Sequence, residues 1–147
     1  MAEATSSYFN YRDLIVWQKA MDLVTAVYAV TEQFPQEELF GLTMVLRRSA
    51  VAIASQIAEG KRRGSKAELI SFLKAACGSG AELETQIELA KRLPQTKDCT
   101  YTEIDELLTG VMRMLPAMIK TLSTPRAKSE KQTKETKNVT VAEPVTA

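Results

Sequence analysis

Six basic side chains crowd into twenty residues: Arg47, Arg48, Lys61, Arg62, Arg63 and Lys66, with Glu59 the one acid among them. Guanidinium groups offer paired donors that match phosphate oxygens, and ammonium groups add point charges beside them. Lys61 to Lys66 also flank a predicted helix start, whose free N–H groups favour an anion. The six are therefore candidate nucleic-acid-binding residues. The competing reading is a solvated basic turn with one Arg held in an ion pair. Arg48 and Glu59 share nearly the same helix face, but about three turns separate them, too far for a direct pair.

Other chemistry is poorly supplied. The chain has no histidine, which removes the commonest general base and the commonest metal ligand. A Ser-His or Cys-His pair is thus impossible within one chain. Glu59, Glu82 and Glu84 are carboxylates, but bundle metal sites take inward carboxylates from several helices, usually with Glu-x-x-His. Gly78-Ser79-Gly80 follows no strand pattern and lacks a Walker lysine; helix packing explains it better. Cys77 and Cys99 have no metal-ligand or CxxC spacing. They read as reduced thiols, one in a helix and one in a loop. We expect no catalytic residue, no cofactor and no metal; the protein is not read as an enzyme.

The elements that must carry the basic cluster are helices. Leu14, Trp17, Met21, Val24 and Tyr28 recur at steps of three and four, with Val16, Ala20, Leu23, Val27 and Val30 as a second stripe. They predict a first helix from about Tyr11–Asp13 to Thr31, buried on more than one side. Trp17, Met21, Tyr28 and Phe72 are expected in the core. Pro35 ends that helix at Phe34. A second helix begins around Leu39–Thr43 and runs to Glu59, with Gly60 as a left-handed cap. Its stripe Leu42, Leu46, Ser49, Ile53, Ile57 is joined by a mostly small, apolar one, Arg47, Val51, Ala54, Ala58. A helix apolar round most of its circumference needs cover on most sides, and a single bundle covers one. That predicts a subunit interface on helix two.

Ser65 with Glu68 three residues on is a capping-box pattern opening helix three. Its heptad seam is Leu69, Leu73, Ala76, Gly80, Leu83, Ile87, Ala90. Gly78 and Gly80 each cost about 1 kcal/mol in a helix interior, which close packing is expected to offset. Pro94 closes the helix. Thr100 or Thr102 caps helix four, whose seam is Ile104, Leu108, Val111, Leu115, Met118, Leu122, with a kink expected at Pro116. The fold class is all-α: an antiparallel up-down-up-down four-helix bundle over 11–122. Residues 1–10 form a flexible tail. Residues 123–147 lack Leu, Ile, Phe, Tyr and Trp and are expected to be disordered.

At 147 residues, 45% hydrophobic and 25% charged, the chain suits one domain with its own core. No apolar run approaches the roughly 18 residues of a membrane span, and no signal-peptide pattern opens it, so a cytoplasmic setting without membrane contact is expected. Formal net charge is only +1, so any nucleic-acid binding has to come from a local patch. The tail from Arg126 holds five basic and three acidic side chains, while residues 98–106 carry four acids and no base.

Several segments occur in a familiar order: Asp13-Leu14-x-Val16-Trp17-Gln18-Lys19-Ala20, Phe34-Pro35, Gly41-Leu42, Leu46-Arg47-Arg48-Ser49-Ala50-Val51, Ile57-Ala58-Glu59-Gly60 and Gly78-Ser79-x-x-Glu82-Leu83-Glu84. Over about residues 11–122 the chain resembles the four-helix-bundle family first named for proteins encoded in intervening sequences of large-subunit ribosomal RNA genes. That family is similar in fold to the accessory protein of diversity-generating retroelements, a pentameric basic bundle that binds nucleic acid and a reverse transcriptase. The resemblance implies a homopentamer, an RNA or DNA partner, and a partner protein such as a reverse transcriptase. The chain departs from the family pattern at Ala52, Ala54 and Gln56, where serine, proline and asparagine are frequent, and at Gly80, where a larger apolar residue is. The function expected is non-enzymatic, oligomeric and nucleic-acid-associated; the alternative is a protein-interaction scaffold without direct nucleic-acid contact.

Overall fold

The computed structural model describes residues 10–124. It contains four long helices: α1 (Ile15–Thr31), α2 (Met44–Arg62), α3 (Lys66–Arg92) and α4 (Thr102–Ser123). No strand occurs among the described residues. Both expected tails lie almost wholly outside them.

The heptad seams are the core. Leu69, Leu73, Ala76, Gly80, Leu83, Ile87 and Ala90 are all buried in α3, as are Ile104, Leu108, Val111 and Leu115 in α4. From α2 come Leu46, Ser49, Ile53 and Ile57, and from α1 Val16, Ala20, Leu23 and Val27. Each helix packs on its neighbours in the order α1, α2, α3, α4 and back to α1. Paired contacts run in opposite senses. Gln56 meets Ser79 while Gly60 meets Phe72; Gly80 meets Met112 while Lys91 meets Asp105. Neighbours α2/α3 and α3/α4 are therefore antiparallel.

Several boundaries differ from expectation. Tyr11–Asp13 is a separate 3-10 turn, capped by Asn10 Oδ1 accepting from the Arg12 N–H at 3.1 Å. Leu14 is extended (φ −72°, ψ 123°), so α1 begins only at Ile15. Between Phe34-Pro35 and α2 come a short 3-10 turn and a π-helical turn, Leu39–Thr43. Gly41 bends the backbone there (φ −107°, ψ −112°), and the Glu38 carboxylate accepts from the Leu42 N–H.

Gly60 does not end α2. The helix runs on to Arg62, and the left-handed residue is Gly64, at φ 84°. Gly60 is buried instead, because a Cβ there would lie 2.6 Å from the Cβ of Phe72. Helix α3 passes both of its central glycines unbroken. Packing accounts for Gly80, against Met112, but at Gly78 a Cβ would meet nothing within 4 Å. The expected kink at Pro116 leaves no break in α4, where the proline is exposed.

Candidate nucleic-acid interface

The six basic residues do not form one patch. Arg47 and Arg48 lie in the first turn of α2, and Lys61, Arg62, Arg63 and Lys66 at its far end and beyond. From Arg48 to Arg62 the helix rises about 21 Å. Sequence proximity misled here because a straight helix separates what a loop would gather.

Arg47 is turned inward. Its Nε donates to Thr31 Oγ1 at 2.9 Å, and its guanidinium stacks over the Tyr28 ring at 4.3 Å. The buried Thr31 hydroxyl in turn donates to the Val27 carbonyl at 2.7 Å. Arg47 is thus a tie between α1 and α2. Arg48 is exposed.

The other four surround the α2–α3 turn. Arg63 Nη2 meets Glu59 Oε1 at 3.0 Å, one helical turn back, and its guanidinium lies 5.4 Å from the centre of Phe72. This arginine fixes the turn. Lys61, Arg62 and Lys66 have no carboxylate within 4 Å among the described residues. Arg62 and Lys66 are exposed and Lys61 partly so. Gly64, with its positive φ, reverses the chain between them.

The start of α3 is already occupied. Ser65 Oγ accepts from the Glu68 N–H at 3.1 Å and donates to the Glu68 carboxylate at 2.9 Å. The glutamate thus bonds the serine hydroxyl, where a full capping box would have it bond the Ser65 N–H. Its charge sits where the helix end would otherwise attract an anion. Lys61, Arg62 and Lys66, rather than free amides, are therefore the groups at this turn left open to an anion.

The acidic end is built differently. Lys91 Nζ reaches Asp105 at 2.7 Å and approaches Glu88 at 3.9 Å, tying α3 to α4. Tyr101 and Thr96 clamp the loop between those helices. The Tyr101 hydroxyl donates to the Thr96 carbonyl at 2.7 Å, and Thr96 Oγ1 donates to the Ala90 carbonyl at 2.6 Å. Burial, with smaller effects from Cys99, pushes the Tyr101 phenol up to about 12. Both cysteines are free, and burial raises the Cys77 thiol above its ordinary value.

The outer face of α1 overturns an expectation. Met21 and Tyr28 are exposed rather than core, and Trp17 and Phe72 are only partly buried. The second α1 stripe faces the bundle, and the first, with Val51 of α2, faces outward. Trp17 meets Tyr11 edge-on at 5.2 Å between ring centres. A shallow groove of about 320 Å³ runs here between Trp17, Met21 and the small residues Ala54, Ser55 and Ala58. A second, of about 620 Å³, lies further along between Tyr28, Phe40, Met44 and Ala52, and Val51 lines both. Phe40 is 82% exposed.

The molecule is thus a small four-helix bundle with a cationic inter-helix turn at one end and an uncovered apolar face along its first two helices. Among its described residues no group of three or more Cys, Asp or Glu could hold a metal ion, and no helix is long and apolar enough to cross a membrane. The chain belongs to the 23S rRNA-intervening sequence protein family, whose model matches residues 12–117. No curated protein matches it.

Proposed function

We propose that this protein is a non-enzymatic, self-associating bundle of the cytoplasm that binds nucleic-acid phosphates at the α2–α3 turn. The observation that carries the reading is a set of cations without carboxylate partners among the described residues, Lys61, Arg62 and Lys66, on a turn fixed by Arg63, Glu59 and Phe72. The family's tie to 23S rRNA favours structured RNA as the ligand to try first, with duplex DNA beside it. Arg48 is a more distant contact, and Arg47 and Arg63 act by holding the scaffold. Self-association rests on the apolar α1/α2 face, and a homopentamer is the expected assembly; a ring would repeat each cationic turn once per subunit.

The test is a titration of labelled structured RNA and duplex DNA at low and moderate salt, against a variant carrying Arg62→Ser, Lys61→Ser and Lys66→Ser. Binding with a steep salt slope, weakened in the variant, supports the reading. Flat curves for both proteins overturn it. The exposed Phe40, Met44 and Val51 favour one second reading, a scaffold on which this face docks a partner protein such as a reverse transcriptase.

A further inference from the structure

We propose that the corner where α1 meets the start of α2 is a binding site for a small apolar monocarboxylate, held by the Thr43 hydroxyl and the Nη groups of Arg47. The site is separate from the cationic turn, because Arg47 precedes Arg62 on α2 by about 22 Å of helix rise. It therefore goes beyond the nucleic-acid reading and does not rest on it.

Thr43 is 3% exposed. Thr31, Thr85 and Thr121 each donate to the carbonyl four residues earlier, a common partner for a threonine hydroxyl within a helix. Thr43 makes no such bond, and no other side-chain bond among the described residues. It closes the π-helical turn Leu39–Thr43, whose wider winding alters the carbonyl spacing on which that bond depends. A nearly buried hydroxyl without a partner is costly, and a ligand oxygen would supply the partner.

Arg47 lies one helical turn further on, on the same side of the helix as Thr43. Its Nε is committed to Thr31, and its guanidinium is held over the Tyr28 ring. Neither Nη has an ion-pair partner among the described residues. A guanidinium fixed in this way presents a flat pair of donors already in place, and such a pair matches the two oxygens of a carboxylate.

Two cavities share this wall, since Leu39, Thr43 and Arg47 line both. The larger, of about 620 Å³, has Arg47 and Arg48 in its lining and no acid. Its other walls include Tyr28, Phe40, Met44 and Val51, each at least 40% exposed. The smaller, of about 340 Å³, has Glu32 in its lining. Both volumes fall in the range of small-molecule sites, about 300–1,000 Å³. Charge decides the class of ligand. One carboxylate can bond Thr43 and Arg47 while an apolar body covers the exposed side chains of the larger cavity. A second negative charge would meet Glu32 on one side or apolar walls on the other. That selects a monocarboxylate over a phosphate or a dicarboxylate.

The experiment titrates the full-length protein with hexanoate and 4-phenylbutyrate, followed by ligand-observed NMR. The comparators are the neutral amide of each acid, inorganic phosphate, and a Thr43→Val variant, which keeps the shape of the side chain without its hydroxyl. At least one acid should bind, about tenfold or more tighter than its amide and than phosphate. Thr43→Val should weaken the acid about tenfold, yet melt no lower than the wild type, because the hydroxyl it removes has no partner in the free protein. Absence of binding by both acids overturns the site. Equal binding of acid and amide, or of acid and phosphate, overturns the monocarboxylate. A Thr43→Val protein that binds the acid like the wild type, or that melts well below it, overturns the role of the Thr43 hydroxyl.

Discussion

Gly60 packs directly on Phe72 where α2 meets α3, so close that a Cβ on the glycine would sit 2.6 Å from the phenylalanine Cβ. That Cβ is fixed to the backbone of α3 and cannot swing aside. The helix backbones are held together at this point, just before the cationic residues, and the position of the turn depends on it. Gly60→Ala should destabilise the protein by about 1–2 kcal/mol, although alanine is the better helix former by about 1 kcal/mol. Gly78→Ala, in the same bundle with open space around it, should instead stabilise by roughly 0.5–1 kcal/mol. Urea midpoints for the two variants should therefore move in opposite directions. If both rise, the α2–α3 approach is looser than the geometry requires.

The apolar α1/α2 face should govern assembly. Val51 lines both grooves and is 40% exposed in the single chain, so a charge there has solvent available unless another subunit covers it. Val51→Glu should reduce the sedimentation mass to that of one chain while leaving the helical circular dichroism unchanged. A wild-type mass of one chain at micromolar concentration would end the self-association reading. A Val51→Glu protein that keeps the full assembly would move the interface elsewhere.

The fold was legible because its determinants are local and periodic. Every residue of the α3 seam from Leu69 to Ala90 is buried, and so is the α2 stripe from Leu42 to Ile57. The candidate site was legible in composition but not in arrangement. Arg47 and Arg62 look alike in a list of charges, yet one is drawn to Thr31 and Tyr28 and the other has no carboxylate partner among the described residues, because they lie at opposite ends of α2 and only the first is beside the end of α1. Two adjacent α1 stripes both read as core, and the sequence had no means to choose the one that faces this bundle. Gly60 read as a cap because a glycine near a helix end usually is one; its packing partner Phe72 becomes visible only once α3 folds back. The Thr96–Tyr101 clamp depends on loop geometry and left no periodic signal at all.

Arg47 and Arg48 offer a test of that distinction. Arg47 gives one hydrogen bond to Thr31 and stacks on Tyr28, which together should contribute about 1–2 kcal/mol. Arg47→Ala should lose that stability in urea denaturation and affect nucleic-acid affinity only through folding. Arg48→Ala, at an exposed site with no ion pair among the described residues, should change stability by less than about 0.5 kcal/mol. Equal destabilisation by both would contradict the inward placement of Arg47.

Tyr101 makes the stability of the α3–α4 connection pH-dependent. Its phenol ionises at about 12 in the folded protein against 10.0 for the free group, chiefly because burial disfavours the anion. Below pH 10 both states keep the proton, and this residue contributes no pH dependence. Between pH 10 and 12 the unfolded chain loses the proton while the folded chain retains it. Unfolding is then favoured, and stability falls as pH rises through that window. Tyr101→Phe removes the titration but leaves the Thr96 carbonyl without its donor, at a cost of about 1–3 kcal/mol at neutral pH. The wild type should therefore be the more stable protein at about pH 7, and its advantage over Tyr101→Phe should shrink as pH climbs from 10 to 12. Urea midpoints measured in parallel at about pH 7, 10 and 11.5 decide it, because ionisations shared by both proteins cancel in the difference. A constant gap would mean that the Tyr101 hydroxyl is open to water, and that the loop is held by Thr96 and its bond to Ala90 alone.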